Sequence, residues 1–259
     1  MIRSKLVLFQ LMAVISMLLV SCNSKEGLFK IMIGNELRGT GFIVAKDSSN
    51  YYVLTAKHTI DIKPNQSSIV MPDDLDKEEK LKGENKSAPY RLVDADNTKY
   101  TIDYDKNIFK ESTLDLAIIK LNIPKDKSYS VAVLSQGIEK GQNVSIRGFK
   151  NCPDADPKRD PIEANKGVIE KLYKEDTKGY GVIYSNLTIG GMSGSPISDD
   201  SGKIIAIHGH RGNSNVNDGQ GKNLDTKVCE IPSEYTPNVG ISMKVFLNSE
   251  LAKKVPISQ

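Results

Sequence analysis

The sequence predicts an all-β fold closed by one C-terminal helix. Short runs rich in β-branched and aromatic residues recur along most of the 259 residues, and clusters of Gly, Pro, Asn and Asp separate them. Helical periodicity shows only near the end of the chain, which disfavours alternating strand and helix units and points to a barrel or sandwich.

In order, strands are expected over residues 28–33 (LFKIMI), 41–45 (GFIVA), 51–55 (YYVLT), 116–121 (LAIIKL), 143–148 (NVSIRG), 167–172 (GVIEKL), 181–184 (GVIY) and 203–208 (KIIAIH). Residues 73–86 mix acidic side chains and lysines without apolar periodicity and read as a solvated excursion. Residues 151–165, with Pro153, Pro157 and Pro161, and the Gly- and Asn-rich stretch 209–221 also read as loops. Residues 243–254 read as the helix, with Val245, Phe246, Leu247, Leu251 and Ala252 on its apolar side. No internal repeat and no second domain are expected.

The composition, 39% hydrophobic and 26% charged, is that of a folded soluble protein. With 35 Lys and Arg against 32 Asp and Glu, the charge of +3 is too small to make nucleic acid a partner. Arg3 and Lys5 precede an apolar run over residues 6–20, and Ser21 leads into Cys22. That run is short for a membrane span and suits a secretory segment. Leu19-Val20-Ser21-Cys22 resembles the bacterial lipobox, which implies a signal peptide over 1–21, a lipid on Cys22, a tether over 22–27 and a folded domain over 28–259. The expected site is the bacterial cell envelope, touched through the anchor alone; Asn23 favours the outer membrane where the host has one. With Cys22 lipidated, Cys152 and Cys229 remain as a pair that an exporting compartment would allow to bridge. No CxxC or HExxH spacing occurs, so no metal and no cofactor are expected.

The most informative segment is Gly190-Gly191-Met192-Ser193-Gly194-Ser195-Pro196. Glycines on both sides of a serine allow a tight turn that exposes Oγ and leaves the Gly191 and Ser193 N–H groups free to face an oxyanion. A nucleophile elbow would need a following helix, whereas Pro196 and the turn Asp199-Asp200-Ser201-Gly202 lead into a strand. Two further residues carry weight. His58 sits where the strand through Leu54 ends, and Asp115 opens a very apolar strand. A buried Asp is costly unless paired, and holding a histidine through Nδ1 is one way to pair it.

GTGF at 39–42, TAKH ending at His58, LDLAIIKL at 114–121 and GGMSGSP at 190–196 together resemble the chymotrypsin-fold serine endopeptidases, whose order of His, Asp and Ser they share. The resemblance runs from Leu28 to the C-terminal helix and is nearest the bacterial branch that includes glutamyl endopeptidases. It implies two packed six-stranded β-barrels, about 28–125 and 126–240, with the site in the cleft between them. It implies Ser193 as nucleophile, His58 as general base, Asp115 as the group that orients His58, and the Gly191 and Ser193 N–H groups as oxyanion hole. A monomer acting on polypeptide is expected.

The resemblance also bears on specificity. Trypsin-like preference for Lys or Arg rests on an Asp six residues before the nucleophile, where Leu187 stands. Thr188 and His208 stand at the offsets where glutamyl endopeptidases carry donors to a substrate carboxylate, and Gly209 follows on the same pocket wall. Cleavage after Glu or Asp is expected, with a small apolar pocket as the alternative. His210 is expected at the surface. Met192 replaces the Asp that pairs with a new N-terminal amine in trypsin-like zymogens, so no switch of that kind is expected; nor is a PDZ-bearing Deg-type chaperone protease. The rivals are a catalytically silent binding module on the same fold and an esterase using the same three residues.

Overall fold

The computed structural model describes residues 25–61, 89–151, 162–163, 166–211 and 237–257. The readings placed on the export segment and Cys22, on residues 73–86, and on Cys152 and Cys229 lie outside them.

Seven strands form an N-terminal sheet: β1 (Leu28–Ile33), β2 (Glu36–Lys46), β3 (Asn50–Ala56), β4 (Tyr90–Asp94), β5 (Lys99–Ile102), β6 (Ile108–Lys110) and β7 (Leu116–Asn122). Their spatial order is β5-β4-β1-β2-β3-β7-β6. Seven more form the C-terminal unit: β8 (Asn143–Gly148), β9 (Ile162–Glu163), β10 (Gly167–Leu172), β11 (Val182–Tyr184), β12 (Pro196–Asp199), β13 (Ile204–Arg211) and β14 (Asn238–Ser242). Here the order is β10-β11-β14-β13-β12-β8-β9, and β10 also pairs with β8. That extra pairing closes six strands into a barrel, with β9 appended to β8.

The fold is therefore the expected all-β, chymotrypsin-like double barrel, with one correction. The N-terminal unit is a half-barrel rather than a closed six-stranded one: its edges, β5 and β6, are four and three residues long and do not pair with each other.

Strand alternation builds three cores. Within β7, Ala117, Ile119 and Leu121 point into the half-barrel with Phe29, Ile31, Val53 and Leu92, whereas Leu116 and Ile118 point the other way. Those two join Phe42 and Leu54 from one unit and Ile183, Ile207 and Ile241 from the other in a core between the units. Val182, Tyr184, Ile197 and Ile205 fill the closed barrel. Strands buried on both faces explain why the runs over 41–45 and 116–119 are continuously apolar.

Two expected boundaries change. The helix over 243–254 breaks into Met243–Leu247 and a 3-10 turn at Ala252–Lys254, because the Ser249 hydroxyl donates to the Phe246 carbonyl at 2.7 Å and accepts from Ala252 N–H at 3.3 Å. A side chain that captures backbone groups in this way competes with the helix ladder. The loop expected from Gly209 starts later, since Gly209, His210 and Arg211 continue β13 beside β14.

Candidate active site

The antiparallel register of β3 and β7 sets Ala56 opposite Leu116, so the residues just beyond the two strand ends, His58 and Asp115, meet. The Lys57 N–H donates to the Asp115 carbonyl at 3.1 Å. The His58 N–H donates to Asp115 Oδ1 at 2.8 Å, and His58 Nδ1 lies 2.6 Å from Asp115 Oδ2. The Tyr180 hydroxyl donates to the same Oδ2. The Asp115 side chain is 8% exposed and that of His58 43%.

Burial pushes the Asp115 pKa up, but the hydrogen bond and charge of the His58 ring, with the Tyr180 hydroxyl and the His58 N–H, outweigh it and hold the carboxyl below its ordinary value. An ionised carboxylate only accepts, so Nδ1 carries a proton, and in the neutral ring this leaves the lone pair on Nε2, the tautomer a general base needs.

Ser193 lies in the loop between β11 and β12. Gly191 and Gly194 adopt φ of +92° and +84°, a left-handed backbone that costs glycine little and a side-chain-bearing residue much. At Gly194 a Cβ would also strike the Thr40 carbonyl and the Thr55 hydroxyl, and come within 2.9 Å of the Ala56 nitrogen, two residues before His58. The Thr40 N–H donates to the Ser193 carbonyl at 2.8 Å, and the buried Thr40 hydroxyl donates to the Gly191 carbonyl at 2.9 Å. The serine loop is thus fastened against β2 beside His58. Among the described residues, the Ser193 hydroxyl makes no hydrogen bond to His58, and no acceptor takes the Gly191 or Ser193 N–H.

The expected pocket residues gather behind that loop. The Gly194 N–H donates to the His208 carbonyl and the His208 N–H to the Ser195 carbonyl, both at 2.8 Å. Leu187 is 41% exposed, whereas Thr188 and His208 are buried at 4% and 3%. The Thr188 hydroxyl donates to Asn238 Oδ1, which differs from the donor role expected of it, since its proton is held inside the wall. His208 Nδ1 meets the Tyr184 hydroxyl. Burial, then the charges of His210, His58 and Arg211, push the His208 pKa well down, and burial pushes that of Tyr184 well up. Both partners of this hydrogen bond are therefore neutral. Arg211 donates through its guanidinium to the Thr188 carbonyl. His210 is exposed, as expected, with its ring edge-on to Tyr180 at 4.9 Å between centroids.

Sequence reasoning missed Tyr180, Tyr184, Arg211 and Thr40. Thr40 lay in the GTGF motif, Tyr184 in the expected strand 181–184 and Arg211 in the stretch 209–221, but their roles, like that of Tyr180, depend on which strands become neighbours. Among the described residues no cluster of His, Cys, Asp and Glu could hold a metal ion.

A fold of two β-units with these residues at their junction defines a serine protease of the chymotrypsin fold. Residues 39–207 match the model of the trypsin-like peptidase domain, and the chain belongs to that family. A search of the curated proteins finds no match. Among solved structures, Deg5 superposes with a TM-score of 0.52 at 16% identity, over 86% of this chain and 87% of that one. The Rv3671c protease from M. tuberculosis, in its active form, gives 0.55 at 14% identity over 93% and 86%. The HtrA-type protease AlgW with tripeptide gives 0.55 at 13% identity, over 87% of this chain and 59% of that one. At such identities the likeness is one of fold.

Proposed function

We propose that the chain is an endopeptidase that cleaves polypeptide through an acyl-enzyme on Ser193. The observation that supports this best is the His58–Asp115 pair, 2.6 Å apart, beside a glycine-flanked serine loop fastened to the same strand end. Ser193 Oγ adds to the scissile carbonyl carbon as its proton passes to His58 Nε2, and the carbonyl oxygen turns its negative charge toward the Gly191 and Ser193 N–H groups. The C–N bond breaks as His58 gives the proton to the leaving amine. Water then gives a proton to His58 and hydroxide to the acyl carbon, and Ser193 leaves with that proton. The Ser193 hydroxyl turns onto Nε2 when substrate binds, as catalytic hydrogen bonds often tighten only in the complex.

An acidic residue is the favoured side chain before the cut. His208, with the Tyr184 hydroxyl donating to Nδ1, would offer a neutral Nε2–H, Arg211 brings a cation held beside Thr188, and no carboxylate stands at Leu187 to receive Lys or Arg. A charge-assisted bond to the substrate carboxylate is worth about 1.5 to 3 kcal/mol, or roughly ten- to hundred-fold in kcat/KM. A peptide-library profile is expected to show cleavage after Glu or Asp, lowered by about that factor in Arg211→Leu and more by His208→Ala than by His210→Ala. Cleavage mainly after Lys, Arg or Leu contradicts it. Turnover of ester without peptide would move the reading to an esterase.

Export and attachment through a lipid on Cys22 belong to the same reading and rest on residues 3–22. The intact protein is expected to partition into the detergent phase and Cys22→Ala into the aqueous phase; an aqueous wild type would refute the anchor.

A further inference from the structure

Asp115 receives a hydrogen bond that neither His58 nor the backbone supplies, and it comes from the other β-unit. Tyr180 stands before β11, at the end of a turn that Asp176 organises. Asp176 Oδ1 accepts from the Lys178 and Tyr180 N–H groups at 2.8 and 2.9 Å, and the Asp176 N–H donates to the Tyr180 carbonyl at 2.9 Å. The turn is held to the site, because the Asp115 N–H donates to the Lys178 carbonyl at 2.9 Å. From there the Tyr180 ring crosses β13 at Gly209. A Cβ at Gly209 would strike the ring at Cε1, 2.8 Å from Cζ and 2.9 Å from the hydroxyl oxygen. The absent side chain at 209 therefore gives the phenol its path to Asp115.

We propose that Tyr180 is a positioning residue for the His58–Asp115 pair, its hydroxyl fixing Oδ2 so that the carboxylate faces His58 Nδ1. This goes beyond the peptidase reading and rests on it. Three donors converge on one carboxylate: Tyr180 O–H and His58 Nδ1–H on Oδ2, and His58 N–H on Oδ1. The last two come from a single residue and leave the carboxylate free to rock about their axis; the phenol, anchored in the opposite unit, removes that freedom. Burial and the Asp115 charge hold the Tyr180 pKa well above its ordinary value, so the phenol remains a donor. The same geometry joins Asp115 to the pocket wall, since the ring touches Gly209 and His210 on the strand that carries His208.

The test is Tyr180→Phe, which removes one oxygen and keeps the ring in the core between the two units. Removing a charge-assisted donor from the buried carboxylate is expected to lower kcat by roughly ten- to hundred-fold, with KM for a short peptide unchanged because the hydroxyl touches no substrate. The pH profile gives the readout that a packing role would not move. The titratable groups around the pair are His58 and Tyr180 on Asp115, His210 on the ring, and Asp176, Tyr184 and His208 beyond. Loss of the donor destabilises the ionised carboxylate, raising its pKa, and leaves more of its charge to the imidazolium. Both effects move the acid limb of kcat/KM to higher pH. The low-field His58 Nδ1 proton resonance, read in Ser193→Ala with and without Tyr180→Phe, should shift, which tests the contact without turnover. An active wild type whose Tyr180→Phe form keeps kcat, acid limb and resonance overturns this role alone. A wild type that cleaves no peptide overturns the peptidase reading and this role with it.

Discussion

Ser193→Ala is expected to lower kcat by about 10⁶-fold, and adding His58→Ala to cost little more. The reason lies in how the groups depend on one another. His58 lies on Asp115 in the N-terminal unit, while the Thr40 N–H and the Gly194 loop hold Ser193 against the same strand end. A base without its nucleophile has no proton to take, and a nucleophile without its base stays a neutral alcohol. Removing either therefore removes the joint action of both, and the losses do not add. What survives is binding and the two N–H groups of the serine loop, which still polarise a carbonyl. Single and double variants assayed on one peptide check this. Full residual hydrolysis in Ser193→Ala would remove Ser193 from the chemistry, and additive losses would separate the roles.

Asp115→Asn is expected to lower kcat by about 10⁴-fold with the backbone unchanged. All three hydrogen bonds at the Asp115 carboxylate arrive from donors. An amide has one oxygen to accept them, so its NH₂ takes either the place of Oδ1, against the His58 N–H, or that of Oδ2, against both the Tyr180 hydroxyl and His58 Nδ1. The backbone N–H cannot accept, which favours the second. Facing Nδ1, it forces that nitrogen to accept, the proton moves to Nε2, and the base is lost. A buried donor left unmatched also costs about 1 to 3 kcal/mol, a fall of a few degrees in Tm for a chain of this size. The pH dependence has a definite sign. The Asp115 pKa is depressed in the folded protein, so the stability its charge contributes is present above the ordinary value of 3.8 and is lost as pH falls through the lower folded value. The Tm deficit of Asp115→Asn should therefore be full at neutral pH and shrink at strongly acid pH. Steady-state kinetics and a Tm series across pH check both parts; wild-type kcat in Asp115→Asn would detach Asp115 from the reaction.

The eight expected strands all lie on observed ones, because NVSIRG and its like alternate, while runs such as GFIVA and LAII are buried on both faces and carry a continuous apolar signal. The strands that escaped notice lack it. β5 alternates exposed and buried over four residues, β6 has three, β12 begins on a proline and β14 holds a central glycine. His58, Asp115 and Ser193 were legible because each marks a break, a strand end or a glycine turn. Tyr180 was not, since one tyrosine beside Gly181 has no local pattern and its partner lies in the other β-unit. Thr188 shows the opposite limit: its offset from Ser193 was legible, but the Asn238 that takes its proton comes from a distant strand.

The most direct measurement is labelling by a fluorophosphonate probe, read as intact mass and then as the modified peptide. One adduct per chain, on Ser193, absent in Ser193→Ala and strongly slowed in His58→Ala, is the predicted result. A folded wild type that takes no adduct, or an adduct that persists in Ser193→Ala, would contradict a serine protease acting through Ser193.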